Sequence, residues 1–447
     1  MKAAINFRDE PLGRLMLKLS IPAFLAIVMN LLYGFIDGVF IGKGINSLAL
    51  GGVTIVFPLT IIVISFASMA GEGLASVTAR GIAGGKDREV METIKAGQAI
   101  TLWISLGLIL ATVFHVEAIM SFLGATDDLV DYSAEYYRSL LIGFPFMGLS
   151  LVYFHQLNAQ GEMRIAMRAM ILSTMVNIIL DYFAIFQIKM GIAGAGYATA
   201  VSQMIWYFYM HIHAVRNRNV RTVLLPFALR FSFSRVREIF VIGFSSFVRQ
   251  VGISIAMILI NTMAGKYGSS VHIISFGASM RIFRLMIAPI AALSTAMKPI
   301  IGQNFGFGEF RRVNTSMKYS FRASALMGIV LLMLLIVLRE KLGFLFGIEA
   351  EQMDVFVKIL LLTSSLFPLY GIQHLIVSYF TSLGKAKEAL LLNLFKQLIF
   401  LIPLILILPE IVGIYGLFLA IPTADFLTIG ISIYLYKRDL IINPVYQ

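Results

Sequence analysis

The sequence predicts an all-α polytopic membrane protein. Twelve transmembrane helices are expected to form two six-helix lobes, related by a pseudo-twofold axis along the membrane normal. Composition is the first observation behind this fold class: 59% of the 447 residues are apolar and 13% are charged, about half the charged share of a soluble domain. Long apolar segments and an internal repeat are the other two. This composition excludes a soluble enzyme, a disordered protein and a fibrous repeat.

Apolar segments long enough to cross a bilayer, about 20 residues each, occur twelve times. The second and eighth are longer than the rest, so we expect them to tilt or to extend into the cytoplasm. No cleavage-site pattern follows the basic N-terminus, so the first segment is interpreted as a retained span. The predicted spans are 19–42, 48–78, 96–115, 137–157, 167–188, 191–214, 240–264, 271–301, 323–338, 356–381, 389–408 and 412–436.

The positions of lysine and arginine predict the orientation. With the N-terminus inside, most of the 36 basic residues fall in cytoplasmic segments, as the positive-inside rule requires. Both termini are then cytoplasmic, in a multi-pass protein of the plasma (inner) membrane. The longest basic connection, 215–238, is interpreted as a cytoplasmic linker between an N-terminal lobe (1–214) and a C-terminal lobe (239–447). Because the basic segments alternate with apolar spans, they argue against nucleic acid as a partner.

The two halves of the sequence align with each other. At an offset of 223, Pro145 aligns with Pro368. Near the end of each half the offset becomes 222, and there residues 191–194 align with residues 413–416. Six spans per half is an even number, so both halves begin on the same side of the membrane. Parallel repeats of this kind occur in transporters, with the binding site at the interface of the repeats. We therefore expect a cavity between two lobes that rock against each other.

Four acidic residues lie inside predicted spans, where insertion of a charge costs about 2.5–3.5 kcal/mol and marks a candidate functional position. Glu72 precedes Arg80 by about two turns, which favours either a local partner or a position in the cavity. Asp425 on span 12 is predicted to pair with Lys396 on span 11. The other two acids are Asp37 and Asp181.

The repeat singles out four polar residues of the first half, here called the N-terminal polar set: Asp37, Asn177, Asp181 and Thr199. Their counterparts in the second half are apolar (Ile260, Phe400, Leu404 and Ile421). The second half forms the same six-span arrangement without these polar residues, so the arrangement does not require them. This indicates a functional role for them rather than interhelical hydrogen bonding alone.

The spacing of the polar set permits it to converge. Asn177 and Asp181 are four residues apart and share a helix face, and all four residues fall in the outer half of their spans. Two close carboxylates in low dielectric can share a proton. With amide and hydroxyl oxygens they can also coordinate Na⁺, so the residues alone leave H⁺ and Na⁺ open. Asn30 and Tyr33, on the first span with Asp37, are candidate cavity residues.

The second half is basic where the first is not. Arg281 and Arg284 lie three residues apart on span 8, and Arg249 lies on span 7. The first two could bind an anionic group bidentately, or they could pair with Asp425 or with backbone carbonyls. We treat all three arginines as candidate cavity residues.

Several motifs follow one another in a specific order and spacing. Together they resemble the multidrug and toxin extrusion (MATE) family, closest to its DinF-like and MepA-like bacterial branches, within the multidrug/oligosaccharidyl-lipid/polysaccharide exporter superfamily. The motifs are Ile21-Pro22-Ala23, Ile36-Asp37-Gly38-Val39-Phe40-Ile41-Gly42, Ala79-Arg80-Gly81-Ile82-Ala83-Gly84-Gly85, Asn177-Ile178-Ile179-Leu180-Asp181, Gly191-Ile192-Ala193-Gly194-Ala195-Gly196-Tyr197-Ala198-Thr199 and Pro299-Ile300-Ile301-Gly302-Gln303-Asn304-Phe305-Gly306.

The resemblance implies multidrug efflux by antiport: inward cation transport drives export of drug-like, amphipathic xenobiotics by alternating access. In archaeal and DinF-like relatives, positions matching the N-terminal polar set form the cation-linked site, and the first helix bends at the proline matching Pro22. Another branch uses carboxylates of spans 7 and 10. This chain has Arg249 and Gln250 in span 7 and His374 in span 10, which disfavours that second mode.

One alternative stays open within the superfamily: a flippase for lipid-linked saccharides, or another exporter of anionic substrates, which a basic cavity would suit. An enzyme is not expected, because no paired catalytic motif and no phosphate-binding glycine-rich loop occurs in the sequence. No cofactor is expected apart from the coupling ion. The expected partners are the small-molecule substrate and membrane lipid, and the protein is expected to be a monomer.

Overall fold

A computed structural model describes residues 10–83, 86–160, 162–217, 220–222, 232–383 and 385–442, and every regular element in these ranges is helical. The first half contains α1 (Leu12–Gly44), α2 (Ser47–Ala83), α3 (Asp87–Thr112), α4 (Val116–Phe122), α5 (Asp127–Leu140), α6 (Phe144–Ala159), α7 (Met163–Tyr182) and α8 (Gly191–Arg216). The second half contains α9 (Phe233–Tyr267), α10 (Ser270–Gly306), α11 (Phe310–Leu345), α12 (Met353–Ser364), α13 (Phe367–Ser382), α14 (Ala386–Leu394), α15 (Ile402–Val412) and α16 (Ile414–Ile442).

Four short segments of a different helical type interrupt these helices. Two are 3₁₀ turns, Leu141–Gly143 and Ala350–Gln352. The other two are π-helical, Phe183–Gln187 after α7 and Phe395–Leu401 between α14 and α15. In the first π segment the amide of Ile188 donates to the carbonyl of Phe183, five residues back.

The predicted membrane spans are confirmed. Ten of them coincide with helical stretches that are long and apolar enough to cross a bilayer. The other two, 19–42 and 191–214, coincide with α1 and α8, which have 33 and 26 residues and exceed the roughly 20 that a crossing needs. The two spans expected to be long, α2 and α10, have 37 residues each.

Spans 4 and 10 are each broken at the same point of the repeat. Span 4 consists of α5, a 3₁₀ turn and α6, with Pro145 in the first turn of α6. Span 10 consists of α12 and α13, with Pro368 in the first turn of α13. A proline lacks an amide hydrogen, so only in the first turn of a helix does it fit without the loss of a backbone hydrogen bond. These two aligned prolines therefore begin a new helix inside each span.

The chain forms two compact units. The first unit is residues 36–274, and the second is residues 1–35 together with 275–447. In the second unit Leu12, Leu15 and Met16 at the start of α1 share one apolar core with side chains of α10, α11 and α13. These units divide the chain differently from the predicted lobes, because packing assigns α9 to the first unit and the start of α1 to the second. The lobe boundaries rest on the sequence repeat and stay a prediction.

In the first unit α9 packs against α2 with very close backbones. A β-carbon at Gly73 would lie 2.0 Å from the carbonyl oxygen of Ile239, and a β-carbon at Gly243 would lie 1.9 Å from that of Met69. Neither position admits a side chain unless the helices separate. Small residues that let backbones approach in this way drive helix association in membranes, where apolar burial gives little help.

The same contact satisfies backbone groups freed by a proline. Pro58 lies inside α2 and removes the hydrogen bond that would reach the carbonyl of Thr54. The buried side-chain amide of Asn261 on α9 donates to that carbonyl at 3.4 Å. The hydroxyl of Ser254 donates to the carbonyl of Pro58 at 2.9 Å. Unsatisfied groups are costly at membrane depth, so these two bonds stabilise the pairing of α2 and α9.

The predicted linker, 215–238, begins in the last turn of α8 and ends in the first turns of α9. Residues 218–219 and 223–231 lie outside the described part of the chain. Within the described part, Arg221 docks on α6: its backbone amide donates to Gln160 at 2.7 Å, and its carbonyl accepts from Gln156 at 2.9 Å. The hydroxyls of Thr222 and Tyr153 lie 2.7 Å apart. The start of the linker is therefore fixed to the first unit.

Candidate functional site

The N-terminal polar set lies on three helices of the first unit. Asp37 is on the later part of α1, Asn177 and Asp181 are on α7, and Thr199 is on α8. Their exposed fractions are 6%, 1%, 0% and 3%. Burial of polar side chains in a membrane span is costly unless a partner or ligand compensates. The burial of these four residues therefore indicates a site for a ligand.

Aromatic contacts fix the end of α1 against the end of α7. The ring of Phe40 meets the rings of Tyr182 and Phe186 edge-on, with centroids 6.3 Å and 5.5 Å away. A β-carbon at Gly44 would lie 2.4 Å from a methyl of Ile185, so α1 approaches the π segment closely there. Asp37 precedes Phe40 by one turn, and this packing determines its position.

Serine hydroxyls hold α8 against α7. The hydroxyl of Ser173 on α7 donates to the carbonyl of Ser202 on α8 at 2.7 Å. The hydroxyl of Ser202 in turn donates to the carbonyl of Thr199 at 2.7 Å. These bonds set the register in which Thr199 is presented beside α7.

The polar set contains two buried carboxylates, Asp37 on α1 and Asp181 on α7. The charge of Asp37 acts directly on Asp181, although the two residues are far apart in the sequence. The side chain of Asn177 approaches the carboxylate of Asp181 one turn away, but within the described residues none of the polar side-chain atoms of these two residues has a partner at full hydrogen-bond geometry. Buried polar atoms are almost always satisfied by protein, water or an ion. These atoms are therefore available to a proton or a cation.

The remaining candidates of the first half are placed as follows. Glu72 on α2 accepts a hydrogen bond from the hydroxyl of Ser246 on α9, which is the local partner that one of the two interpretations expected. The side chains of Pro22, Asn30 and Tyr33 lie outside the described part of the chain. A bend at Pro22 stays a prediction.

In the second unit, the predicted ion pair between Lys396 and Asp425 is confirmed, with 2.6 Å between Nζ and Oδ1. Arg281 donates to the carbonyl of Gly277 at 3.2 Å, which is one of the alternatives left open for it. The charges of Arg281 and Arg284 repel each other. The side chain of Arg249 lies outside the described residues.

Sequence reasoning did not place Tyr370 or His374 beside this ion pair, although it named His374 in span 10. The ammonium of Lys396 lies 4.8 Å from the centre of the Tyr370 ring, and the ring of His374 lies 4.7 Å from that of Tyr370. The repeat could have revealed both, because they align with Met147 and Leu151 in the first half. This is the same polar-against-apolar contrast that singled out the N-terminal polar set.

Two relatives extend over nearly the whole chain. The chain is 24% identical to a multidrug export protein MepA from Staphylococcus haemolyticus over 421 residues, which are 94% of this chain and 92% of the relative. It is 25% identical to an FAD transporter from Shewanella oneidensis over 458 residues, covering 100% of this chain and 98% of the relative.

Solved structures show the same fold. An inward-facing MATE transporter of the MOP superfamily matches with a TM-score of 0.80 and 22% identity, over 95% of this chain and 98% of the other. The MATE multidrug transporter DinF-BH, solved in a ligand complex, matches with a TM-score of 0.75 and 29% identity, over 98% of both chains.

The sequence model of the MatE family matches the chain twice, over residues 22–183 and 246–407, so the second match lies 224 residues after the first. This agrees closely with the offset of the internal repeat. Pro145 lies in the first match and Pro368 in the second, whereas 191–194 and 413–416 lie just beyond the matches. The predicted resemblance is confirmed: the protein is a multi-pass membrane transporter of the multidrug-export type and not an enzyme. The chain belongs to the MatE family.

Proposed function

We propose that this protein is an antiporter in which inward movement of H⁺ or Na⁺ through the N-terminal polar set drives export of an organic amphipathic molecule. The observation that supports this proposal is the presence of two buried carboxylates, Asp37 and Asp181, on different helices of the same unit. Two ionised carboxylates in such a site repel each other and lose solvation. A proton or a cation relieves both costs.

Coupling requires that the cation bind one conformation better than the other, because a ligand shifts an equilibrium only by its differential affinity. Asp37 is on α1, whereas Asn177 and Asp181 are on α7. A movement of α1 relative to α7, with Pro22 as the bend, would separate the carboxylates and change the cation affinity. A coupling free energy of about 1–3 kcal/mol is enough to alter affinity 5- to 150-fold.

The residues suit either cation. For H⁺, the carboxylate pair alone is sufficient, since one proton removes the repulsion. For Na⁺, a hard cation, the oxygens of Asp37, Asn177, Asp181 and Thr199 would form the ligand set. No further cofactor enters the proposal.

Transport by purified protein in vesicles tests this function. We expect uptake of the cationic dye rhodamine 6G into inside-out vesicles when a proton or a sodium gradient is imposed separately, with one of the two giving the faster rate. A protonophore or a sodium ionophore should then abolish the uptake selectively. Uptake that is equal with no gradient and with both gradients would contradict antiport.

We propose a cytoplasmic location for both termini and for the linker, in a monomer surrounded by membrane lipid. The chain has no cysteine, so single cysteines report sidedness. Cysteine at Arg88, a fully solvated position near the start of α3, should resist an impermeant maleimide added to intact cells. Cysteine at Asp127, at the start of α5, should react. The reverse pattern would overturn the orientation.

A second candidate function is export of an anionic substrate, or flipping of a lipid-linked anionic saccharide. The basic side chains Arg281, Arg284 and Lys396 in the spans of the second unit favour it, as does the relative named as an FAD transporter. FAD is a dinucleotide with a planar ring system and a negatively charged pyrophosphate. The two candidates share the coupling site and differ in the substrate that the second unit recognises.

A further inference from the structure

We propose that Lys396 anchors a substrate site for planar aromatic anions within the second unit. The site consists of the Lys396–Asp425 ion pair and a wall of rings formed by Phe367, Tyr370 and His374. The inference rests on the proposed export function and specifies the substrate class that this part of the protein receives.

The ion pair is asymmetric in its accessibility. The side chain of Asp425 is 7% exposed, whereas that of Lys396 is 21% exposed. Within the described residues, the carboxylate of Asp425 is the only anionic partner of Lys396. An ammonium carries three donors, so donors remain for an incoming oxygen. The less buried pole of the pair is therefore the cation.

The pair lies deep in the membrane. Lys396 follows the start of its span at Lys387 by about 14 Å, and Asp425 follows Ile414 by about 17 Å, at 1.5 Å per helical residue. Both depths fall near the middle of a hydrocarbon core about 30 Å thick. A lysine that is partly exposed at this depth faces protein or water rather than lipid, because lipid exposure of a charge is costly.

The rings form a surface suited to a planar molecule. Phe367 and Tyr370 are parallel, with an interplanar angle of 5° and centroids 6.0 Å apart. The ring of His374 lies 4.7 Å from that of Tyr370. Phe283 of α10 packs edge-on against the rings of Phe367 and Tyr370. Lys396 lies over the Tyr370 ring at 4.8 Å. Phe367 and Phe283 are buried and support Tyr370 from inside the unit, whereas Tyr370 and His374 are partly exposed. A flat aromatic ligand could therefore stack on the rings of Tyr370 and His374 while its anionic group meets the ammonium.

The charges around the rings favour an anion over a cation. His374 is subject to the positive charges of both Lys396 and Lys298. In the described part of the second unit's spans, Asp425 is the acid that faces this cluster, and Lys396 neutralises it. The positive charges of Lys396 and Lys298 beside His374 oppose an organic cation there and attract an anion.

Two dyes with the same ring system test the site: fluorescein, which is anionic at pH 8, and rhodamine 6G, which is cationic. Binding to purified protein is measured by fluorescence anisotropy, with empty detergent micelles as the blank. We expect Lys396→Gln to weaken fluorescein binding at least about tenfold, the size of one lost charge-assisted hydrogen bond. The affinity for rhodamine 6G should not fall.

Asp425→Asn should change the affinity for fluorescein in the opposite direction. It removes the carboxylate that competes with the ligand for Lys396, so fluorescein should bind more tightly than to wild type. A purely structural ion pair predicts that both substitutions damage the protein in the same direction. Equal weakening of both dyes by both variants, or fluorescein binding unchanged in Lys396→Gln, would overturn the proposal. The double variant Lys396→Gln/Asp425→Asn contains no buried unpaired charge and should also lack fluorescein binding.

A matched control exists in the same unit. Lys358 pairs with Asp354 at 3.3 Å and lies 5.9 Å from the ring of Tyr415, but its side chain is 56% exposed. Lys358→Gln should leave the binding of both dyes unchanged. Gradient-driven transport of both dyes by wild type is measured in parallel. If neither dye is transported, the proposed export function fails; if either is transported and only the fluorescein binding results fail, the anion site alone is wrong.

Discussion

Gradient-driven export should fall to background when either Asp37 or Asp181 is replaced by asparagine. Asparagine has nearly the shape of aspartate, so the packing around Phe40 and the α7–α8 contact should persist. It cannot take up a proton at neutral pH, and it removes the charge that attracts a cation. The measurement is dye transport into vesicles under an imposed gradient. Insertion and folding are checked by the amount of monodisperse purified protein.

Asp425→Asn is the contrasting variant. It removes an acid from a span of the second unit and leaves the charge of Lys396 without its carboxylate. Loss of one partner of a buried pair costs about 3–5 kcal/mol, so the yield of folded protein should fall more than coupling does. Wild-type export at an unchanged ion stoichiometry in Asp37→Asn would show that the N-terminal polar set does not carry the coupling ion.

A single methyl group at Gly243 should destabilise the protein severely. The added β-carbon would lie 1.9 Å from the carbonyl oxygen of Met69, and backbone cannot move aside as a flexible side chain can. Overpacking of this kind costs about 1–3 kcal/mol, and more where helices must separate. This exceeds the gain of about 1 kcal/mol that alanine brings inside a helix. We expect a lower melting temperature in detergent and a reduced folded yield for Gly243→Ala.

Gly107 on α3 provides the matched control. A β-carbon there would meet nothing within 4 Å, so Gly107→Ala should be neutral or slightly stabilising. Gly73→Ala should behave like Gly243→Ala, since its β-carbon would meet the carbonyl of Ile239. A melting temperature of Gly243→Ala at or above that of wild type would contradict the close contact between α2 and α9.

The sequence was sufficient to locate the spans, because hydropathy and the positions of basic residues act over whole segments. It also predicted the ion pair of Lys396 and Asp425, since an unpaired charge in a span is too costly to leave. It did not predict that α9 packs along α2. That contact depends on Gly73 and Gly243, whose missing side chains have no periodic signal in hydropathy, and the fit of two backbones is a three-dimensional property.

In the candidate site, too, some residues could be predicted from the sequence and others could not. The choice of Asp37 and Asp181 followed from the repeat, because functional residues break a symmetry that packing alone would keep. Tyr370 and His374 break that symmetry too, but sequence reasoning considered His374 only as a residue of span 10 and did not consider Tyr370. Their role emerges only when Lys396 is found over the Tyr370 ring.

The two π segments carry a consequence for how the halves evolved apart. A π turn holds one extra residue, which advances the helical phase of everything beyond it by about 100°. In the first half this slip follows Asp181, so Asn177 and Asp181 keep the α-helical phase that puts them on one face. In the second half it spans Phe395–Leu401, which includes the counterpart Phe400 and ends before the counterpart Leu404. Asn and Asp grafted onto those two positions would still share a face with each other, because they are four residues apart, but that face would be rotated relative to α14, which precedes the slip.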